Sequence, residues 1–150
     1  MSNEEIARFV MQDTFTGKLA TVKKDGGSHV VPIWFVLDNE NMERRSRIGS
    51  IIFTTYIALV KANNIQHNDR ASICVDDQTP PFSFVTILGT AKIYPCKQKE
   101  VSKWATKIAG RCMGKKNAEA YDRRNSGEGA VPIRIKPSRI IAEKAIASWD

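Results

Sequence analysis

The sequence lacks the features that mark membrane and secreted proteins. No apolar run reaches the length of about 18 residues that a transmembrane helix needs. Residues 1–5 are acidic in character and have neither the basic nor the apolar region of a signal peptide. We therefore expect a cytoplasmic protein that does not enter a membrane.

Side chains that bind metals or attack substrates are also scarce. The three cysteines are odd in number, lie far apart and form no C-x-x-C pair, which indicates reduced thiols. With only His29 and His67 besides, the spacing predicts no metal site. The G-x-S-x-G, P-loop and G-x-G-x-x-G motifs are absent. The sequence names no catalytic residue, so an enzyme built from it would depend on a bound cofactor.

Acidic residues are outnumbered, and the formal net charge is +7. Most of the excess lies between Lys97 and Arg124, a segment that suits a polyanion such as nucleic acid, a phosphorylated cofactor or an anionic cofactor tail. A solvated helical surface explains the same pattern equally well. Nucleic acid is disfavoured because Trp104 belongs to an apolar helix face, so the aromatic interleaving of single-strand binders is missing.

The apolar pattern predicts one domain, residues 1–150, made mainly of strands. Asp25-Gly26-Gly27 is a tight-turn signal between two strands, and Gly89 marks a bulge or close backbone approach in a long strand. Six or seven strands joined mostly by hairpins favour an antiparallel β-barrel with appended helices. A helix is expected at the N-terminus, where Ser2 and Glu5 have the spacing of a capping box, and further helices are expected at 58–67, 101–112 and 115–124.

One strand of this pattern is unusual. Ser28 to Leu37 is apolar on both faces yet contains Pro32, which cannot donate a ladder hydrogen bond and is confined to edges, strand starts and bulges. A strand too apolar for an exposed edge needs a cover. We expect a second subunit or a flat aromatic ligand there.

Several short motifs follow one another in a set order along the chain. They are Leu19-Ala20-Thr21-Val22, Asp25-Gly26, 29–35, Ile52-Phe53-Thr54-Thr55, 61–65, Asp69-Arg70-Ala71-Ser72, Pro80-Pro81-Phe82, Gly89-Thr90-Ala91 and 133–137 with Arg139. In this order they resemble those of the pyridoxamine 5′-phosphate oxidase-like split-barrel flavoproteins, and the chain is most similar to their branch of small deazaflavin (coenzyme F420)-dependent oxidoreductases. The resemblance covers residues 17–142, and no single motif is diagnostic alone.

The resemblance implies a homodimer of six-stranded split barrels with a cofactor, FMN or coenzyme F420, at the subunit interface. The implied activity is hydride transfer to or from a small organic substrate. A non-catalytic protein that binds or carries the flavin-like cofactor is the alternative, since no acid–base residue stands out in the sequence.

The same resemblance implies which residues contact the cofactor. The backbone around Pro32 lies along the ring, while the end of the Thr54-Thr55 strand and Lys61 hold the phosphate. A lysine at the start of a helix adds its charge to the free N–H groups there. The full predicted set is Val31, Pro32, Ile33, Trp34, Thr54, Thr55, Lys61, Asn64 and Trp149.

Two positions leave alternatives open. Relatives often carry an arginine two residues after the Thr-Thr pair, where this chain has Ile57, so phosphate binding is weaker or an arginine among 44, 45 and 47 substitutes. Trp149, close to the C-terminus, either frays in solvent or packs across a dimer interface near the cofactor. We expect the second.

Overall fold

The computed structural model describes residues 1–40, 42–94 and 96–149, and it is mainly β. None of the described helices is long and apolar enough to cross a bilayer. The elements are α1 (Asn3–Val10), β1 (Gly17–Val22), β2 (Ser28–Ile33), β3 (Val36–Asp38), β4 (Ser50–Tyr56), α2 (Val60–His67), β5 (Arg70–Asp77), β6 (Ser83–Ile93), α3 (Gln98–Met113), α4 (Lys115–Asn125) and β7 (Ala130–Glu143).

The strands form one antiparallel sheet in the order β2-β1-β5-β6-β7-β4-β3. The two edge strands, β2 and β3, are separated in the chain only by Trp34 and Phe35. A connection this short brings the two edges of the sheet side by side, so the sheet must curl into a barrel that is split where β2 meets β3. This confirms the expected barrel with appended helices.

The strand count is seven rather than six. The apolar run from Ser28 to Leu37, predicted as one strand, is cut at Trp34-Phe35 into β2 and β3, which pair with different neighbours. The segment 130–143, by contrast, forms the single long strand β7. Sequence periodicity does not locate such breaks, because a strand ends where its pairing ends, and that depends on partner strands elsewhere in the chain.

Pro32 occupies an edge strand. It lies opposite Lys18 of β1, and β2 has no second strand partner among the described residues. An edge strand tolerates proline, because the missing N–H can face away from the neighbouring strand. Pairing with β1 ends one residue later, at Ile33, and the chain then crosses to the far edge of the sheet.

The barrel interior is filled by the inward-facing side chains of the strands and closed at one end by α1. Ser2 and Glu5 form the predicted capping box, with the Ser2 N–H donating to the Glu5 carboxylate at 2.6 Å and the Glu5 N–H to Ser2 Oγ at 3.1 Å. The apolar face of α1, Ile6 and Val10, is fully buried against this core.

Gly89 is the bulge that the sequence predicts. The β6–β7 register shifts between Leu88 and Gly89, and a Cβ on Gly89 would lie 2.2 Å from the Lys136 carbonyl oxygen. Glycine is required here because the two strands approach too closely for any side chain.

Helix α3 lies outside the barrel and covers the outer face of β3 and β4. Its residues Trp104 and Ile108 pack on Val36 and Ile52 in a second, smaller apolar cluster. Because α3 covers one face while the core covers the other, β4 is buried on both sides over most of its length. This explains the unbroken apolar run in β4.

Arg111, near the end of α3, connects three distant segments. Its guanidinium donates to the carbonyl oxygens of Phe35 at 2.8 Å, Phe15 at 2.8 Å and Val10 at 3.1 Å, and lies 4.6 Å from the Phe35 ring centroid. Burial lowers the pKa of Arg111, and the hydrogen bonds to carbonyls offset the cost of desolvating its charge. Arg111 thereby satisfies carbonyl groups at the end of α1 and at the barrel split.

We expect Arg111→Met to lower the free energy of unfolding by about 1.5–3 kcal/mol, because it keeps the aliphatic stem but removes the charged donor from buried carbonyls. Urea unfolding monitored by circular dichroism measures this. The control is Arg45→Met in the exposed β3–β4 connection, which should change stability by less than about 0.5 kcal/mol. Equal effects of the two substitutions would contradict the role given to Arg111.

Candidate functional site

Two clefts flank helix α3 on the outside of the barrel. The first, here the Lys61 cleft, has a volume of about 370 Å³ and lies among the β2–β3 connection, β4, α2, α3 and α4. The second, here the Arg134 cleft, has a volume of about 400 Å³ and lies on the β7 side of α3. The Lys61 cleft is lined by Thr16, Pro32, Ile33, Trp34, Thr54, Lys61, Ala105, Ile108, Ala109, Tyr121 and Asn125.

The alternation of side chains along β4 decides which of its residues reach each cleft. Ile52 and Thr54 lie on the outer face, under α3, and line the Arg134 cleft and the Lys61 cleft respectively. Thr55, one residue on, is 5 % exposed and lies on the opposite face of the strand. The two neighbouring threonines therefore have different environments.

Lys61 enters the cleft from the first turn of α2. This helix has no side-chain N-cap, so its first backbone N–H groups are free to bind an anion. The ammonium group forms no ion pair with any described residue. Its partial burial lowers the pKa of Lys61. A partly desolvated, unpaired cation beside a helix N-terminus is an arrangement that an anionic ligand stabilises.

The other polar side chains of the Lys61 cleft are also without protein partners. No hydrogen bond joins the side chains of Thr16, Thr54, Tyr121 or Asn125 to any described residue. Convergent polar groups in an otherwise apolar cleft are typical of a ligand site. The remaining lining is flat and apolar, from Pro32 and Ile33 on one side to small α3 residues on the other.

The Arg134 cleft differs because its charged groups satisfy one another. Arg134 Nη1 lies 2.8 Å from the buried Asp38 carboxylate, and its guanidinium carbon lies 6.0 Å from the Trp104 ring centroid. At the rim, Lys136 pairs with Glu43 at 2.7 Å. The ion pairs join β7 to β3 and to the β3–β4 connection, while Arg134 also contacts Trp104 of α3, so few groups remain for a ligand.

The structure brings five of the predicted site residues to the Lys61 cleft. They come from three separate elements, and their assembly depends on the barrel closing at the β2–β3 connection. The five are Pro32, Ile33, Trp34, Thr54 and Lys61.

The other four predicted residues lie elsewhere. Val31 packs against the barrel core, on the face of β2 opposite Pro32. Thr55 is inside the barrel, where its Oγ1 has no hydrogen-bond partner. Asn64 is buried and its Nδ2 donates to Thr21 Oγ1 at 3.1 Å, which ties α2 to β1. Trp149 is 95 % exposed.

Tyr121 and Asn125, both on α4, and Thr16, before β1, are cleft residues that the sequence did not indicate. No motif marks them, since α4 is a largely polar helix that buries only Ala118. Only the packing of α4 against α3 brings Tyr121 over the cleft, where its ring centroid lies 5.2 Å from that of Trp34.

The proposed arginine substitutes for Ile57 do not reach the cleft. Arg47 is held at the start of α1, with Nε donating to Asn3 Oδ1 at 2.8 Å. Arg44 and Arg45 are exposed and do not line the cleft. Among the described residues that line it, Lys61 is the only cation.

The basic surface of α3 also faces away from the Lys61 cleft. The ammonium groups of Lys103 and Lys107 lie 5.1 and 5.0 Å from the Trp104 ring centroid. Trp104 lines the Arg134 cleft. These lysines are therefore poorly placed to hold an anion that is bound beside Lys61.

The sequence matches the pyridoxamine 5′-phosphate oxidase family model over residues 2–142. The chain belongs to this family. Membership agrees with the antiparallel split barrel. No curated protein matches the sequence.

Similar solved structures support the same fold. A conserved hypothetical protein, Rv2991 from Mycobacterium tuberculosis, is 25 % identical, with 97 % of this chain and 86 % of that chain covered and a TM-score of 0.78. An F420 reductase is 22 % identical over 89 % of this chain and 94 % of that one, with a TM-score of 0.64. HutZ, described as a heme storage protein from Vibrio cholerae, is 16 % identical, with 94 % of each chain covered and a TM-score of 0.68.

We expect Lys61→Met to stabilise the protein. Burial disfavours the charged amine, and a cation is unfavourable at a helix N-terminus, so removing the charge should raise the Tm at pH 7 by about 1–4 °C. The gain should shrink as the pH rises through the lowered pKa of Lys61, because the native lysine then becomes neutral too. Differential scanning fluorimetry across pH measures both effects.

The matched control is Lys99→Met, which removes an exposed lysine from the first turn of α3. Lys99→Met removes the same unfavourable interaction with a helix dipole, but Lys99 is exposed and has no burial cost. Its increase in Tm should therefore be smaller than that of Lys61→Met. A lower Tm for Lys61→Met than for the unsubstituted protein would contradict the assignment of Lys61 as an unpaired, costly charge.

Proposed function

We propose that this protein is an oxidoreductase that uses FMN or deazaflavin coenzyme F420 to transfer a hydride to or from a small organic substrate. The observation that carries the proposal is the Lys61 cleft itself. An unpaired cation and four unpaired polar side chains surround flat apolar walls in a member of the pyridoxamine 5′-phosphate oxidase family. A phosphorylated tricyclic ring has the matching chemistry.

The residues present fit such a cofactor. Lys61, the free N–H groups at the start of α2 and the Thr54 hydroxyl would hold its phosphate. The Pro32–Trp34 backbone and side chains would lie along its ring. Lys61 is the only cation among the described residues that line the cleft, so phosphate binding depends on Lys61 and backbone dipoles, and we expect moderate rather than tight affinity.

The bound cofactor would supply the hydride chemistry, and the protein would supply binding, orientation and exclusion of water. Ile33, Ala105, Ile108 and Ala109 form an apolar lining that keeps water from the ring. The lining also restricts where a substrate can approach. Lys61 and Tyr121 are the only described lining residues that carry an exchangeable proton on a titratable group.

A second candidate is a protein that binds or carries the cofactor without catalysis. It is favoured by the absence of carboxylate, histidine and cysteine among the described residues that line the Lys61 cleft. Binding without catalysis also occurs on this fold, as the heme storage protein HutZ suggests. Steady-state assays with reduced cofactor and a panel of enones, quinones and tetrapyrroles separate the two candidates.

We also propose that the protein acts as a homodimer in the cytoplasm. The outer face of β1, β5 and β6 forms an open groove of about 530 Å³ lined by small residues, including Ala20, Ser72 and Gly89. Exposed apolar side chains, Val30 and Ile141, lie on the same outer surface of the sheet. A second copy of the chain would cover them, and its Trp149 could then pack near the cofactor. All three cysteines are free thiols, which suits a reducing compartment.

Cofactor binding tests the proposed function directly. Titration of the purified protein with FMN and with F420, followed by quenching of cofactor fluorescence, should give saturable binding by one of them at micromolar concentration. Lys61→Met should weaken this binding about 10- to 150-fold, as expected for a lost hydrogen bond to a charged group. Affinity for the phosphate should also fall at high pH, because deprotonation of Lys61 removes its charge.

Two controls make the result specific. Riboflavin, which lacks the phosphate, should bind the native protein and Lys61→Met equally. Lys99→Met should bind the cofactor as the native protein does. If neither FMN nor F420 binds, the proposed function is wrong; if binding is unchanged in Lys61→Met, Lys61 is not the phosphate ligand.

The dimer is tested by sedimentation equilibrium at micromolar concentration. We expect twice the mass of the chain, and we expect Val30→Asp to shift the population toward monomer because it places a charge in the proposed interface. Ile57→Asp, at another exposed apolar position, on the β4–α2 loop, is the control. A monomeric native protein would contradict the proposal.

A further inference from the structure

Two aromatic rings are in contact at the wall of the Lys61 cleft. The ring centroids of Trp34 and Tyr121 are 5.2 Å apart and their planes are tilted by 53°. Trp34 is 39 % exposed, so this contact does not serve to bury it in the core. Both side chains line the cleft with Lys61 and Thr54.

The backbone at Trp34 is held in place by the residues on either side of it. The next residue, Phe35, is fully buried, and its carbonyl oxygen accepts a hydrogen bond from Arg111. The preceding residue, Ile33, ends β2 in register with Gly17. Movement of the Trp34 backbone would therefore disrupt the core packing of Phe35, its hydrogen bond from Arg111 and the pairing of Ile33 with Gly17.

Tyr121 lies on α4, a helix that is attached less firmly to the rest of the protein. Helix α4 buries only Ala118 and begins after Gly114, whose φ is +81°. Its other attachments are polar: Ser102 donates to the Asp122 carboxylate at 2.8 Å, Gln98 donates to the Ser126 carbonyl oxygen, and Tyr56 donates to that of Arg124. A helix with so little buried apolar surface can move at small cost in free energy.

We propose that a flat aromatic ring binds between Trp34 and Tyr121, that α4 moves outward to admit it, and that Tyr121 is a specificity-determining residue for that ring. This inference rests on the proposed function and extends it to residues that no motif indicates. Rings in contact lie about 3.5 Å apart, so an inserted ring needs roughly 7 Å between its neighbours. The present spacing is smaller, and α4 must open by on the order of 2 Å.

Separate binding of ring and phosphate tests the inference. The ligands are the cofactor that binds the native protein, its ring alone (lumiflavin or 5-deazalumiflavin), and ribose 5-phosphate, which has no ring. Tyr121→Ala should weaken the cofactor and the ring about 2- to 10-fold, the range for an aromatic pair, and leave ribose 5-phosphate unchanged. Lys61→Met should weaken the cofactor and ribose 5-phosphate and leave the isolated ring unchanged.

Three further variants distinguish loss of the ring contact from a general disturbance of the structure. Tyr121→Phe should restore ring affinity, because the ring contact is retained without the hydroxyl. Trp34→Leu should weaken ring binding from the opposite side of the cleft, which covers the case in which Tyr121→Ala disturbs α4. Tyr94→Ala, at a similarly exposed tyrosine of the Arg134 cleft, is the matched control and should bind all ligands as the native protein does.

The outcomes distinguish this inference from the proposed function. If the native protein binds the cofactor but Tyr121→Ala and Trp34→Leu bind the isolated ring unchanged, the inference is wrong and the proposed function stands. If the native protein binds neither cofactor nor ring, both are wrong. Selective loss of ring affinity in both variants supports the inference.

Discussion

Arg111 donates hydrogen bonds to carbonyl oxygens from three segments that are distant in the sequence: the end of α1, the turn that follows it, and the β2–β3 connection. These contacts hold the end-closing helix and the split of the barrel to the helix α3 that covers its outer face. Both clefts border α3, so their shape depends on this attachment. A buried guanidinium serves here because a single planar group can reach several carbonyls at once.

The two clefts differ in whether their charged side chains have partners within the protein. In the Arg134 cleft, each buried or partly buried charge has a partner, and the ion pairs fasten β7 to β3 and to the β3–β4 connection. In the Lys61 cleft, the one cation has no acidic partner among the described residues and its pKa is lowered by burial. The unpaired charge lowers the free energy of unfolding of the free protein, and a bound anionic ligand would offset this cost.

Much of the fold could be predicted from local sequence signals. The capping box at Ser2, the Asp25-Gly26 turn and the bulge at Gly89 each depend on neighbouring residues or on one backbone position, and the structure confirms them. The division of the 28–37 run into two strands could not be predicted. It depends on which distant strands pair with each half, namely β1 and β4.

The candidate site was predictable only in part, for the same reason. Thr54 and Thr55 are indistinguishable as residue types, and the direction of each side chain is decided by the register of β4 under α3. Asn64 has the polarity of a ligand contact, but its amide is used by Thr21 of a distant strand. Tyr121 carries no local signal and reaches the cleft because α4 packs on α3.

The sequence alone determined most of the helices and strands, the family to which the chain is similar and the identity of Lys61 as a candidate phosphate ligand, because these follow from short-range patterns and residue chemistry. Only the tertiary structure decided which polar groups face the same cleft and which of them lack protein partners. Those properties belong to contacts between segments far apart in the chain, and no local pattern contains them.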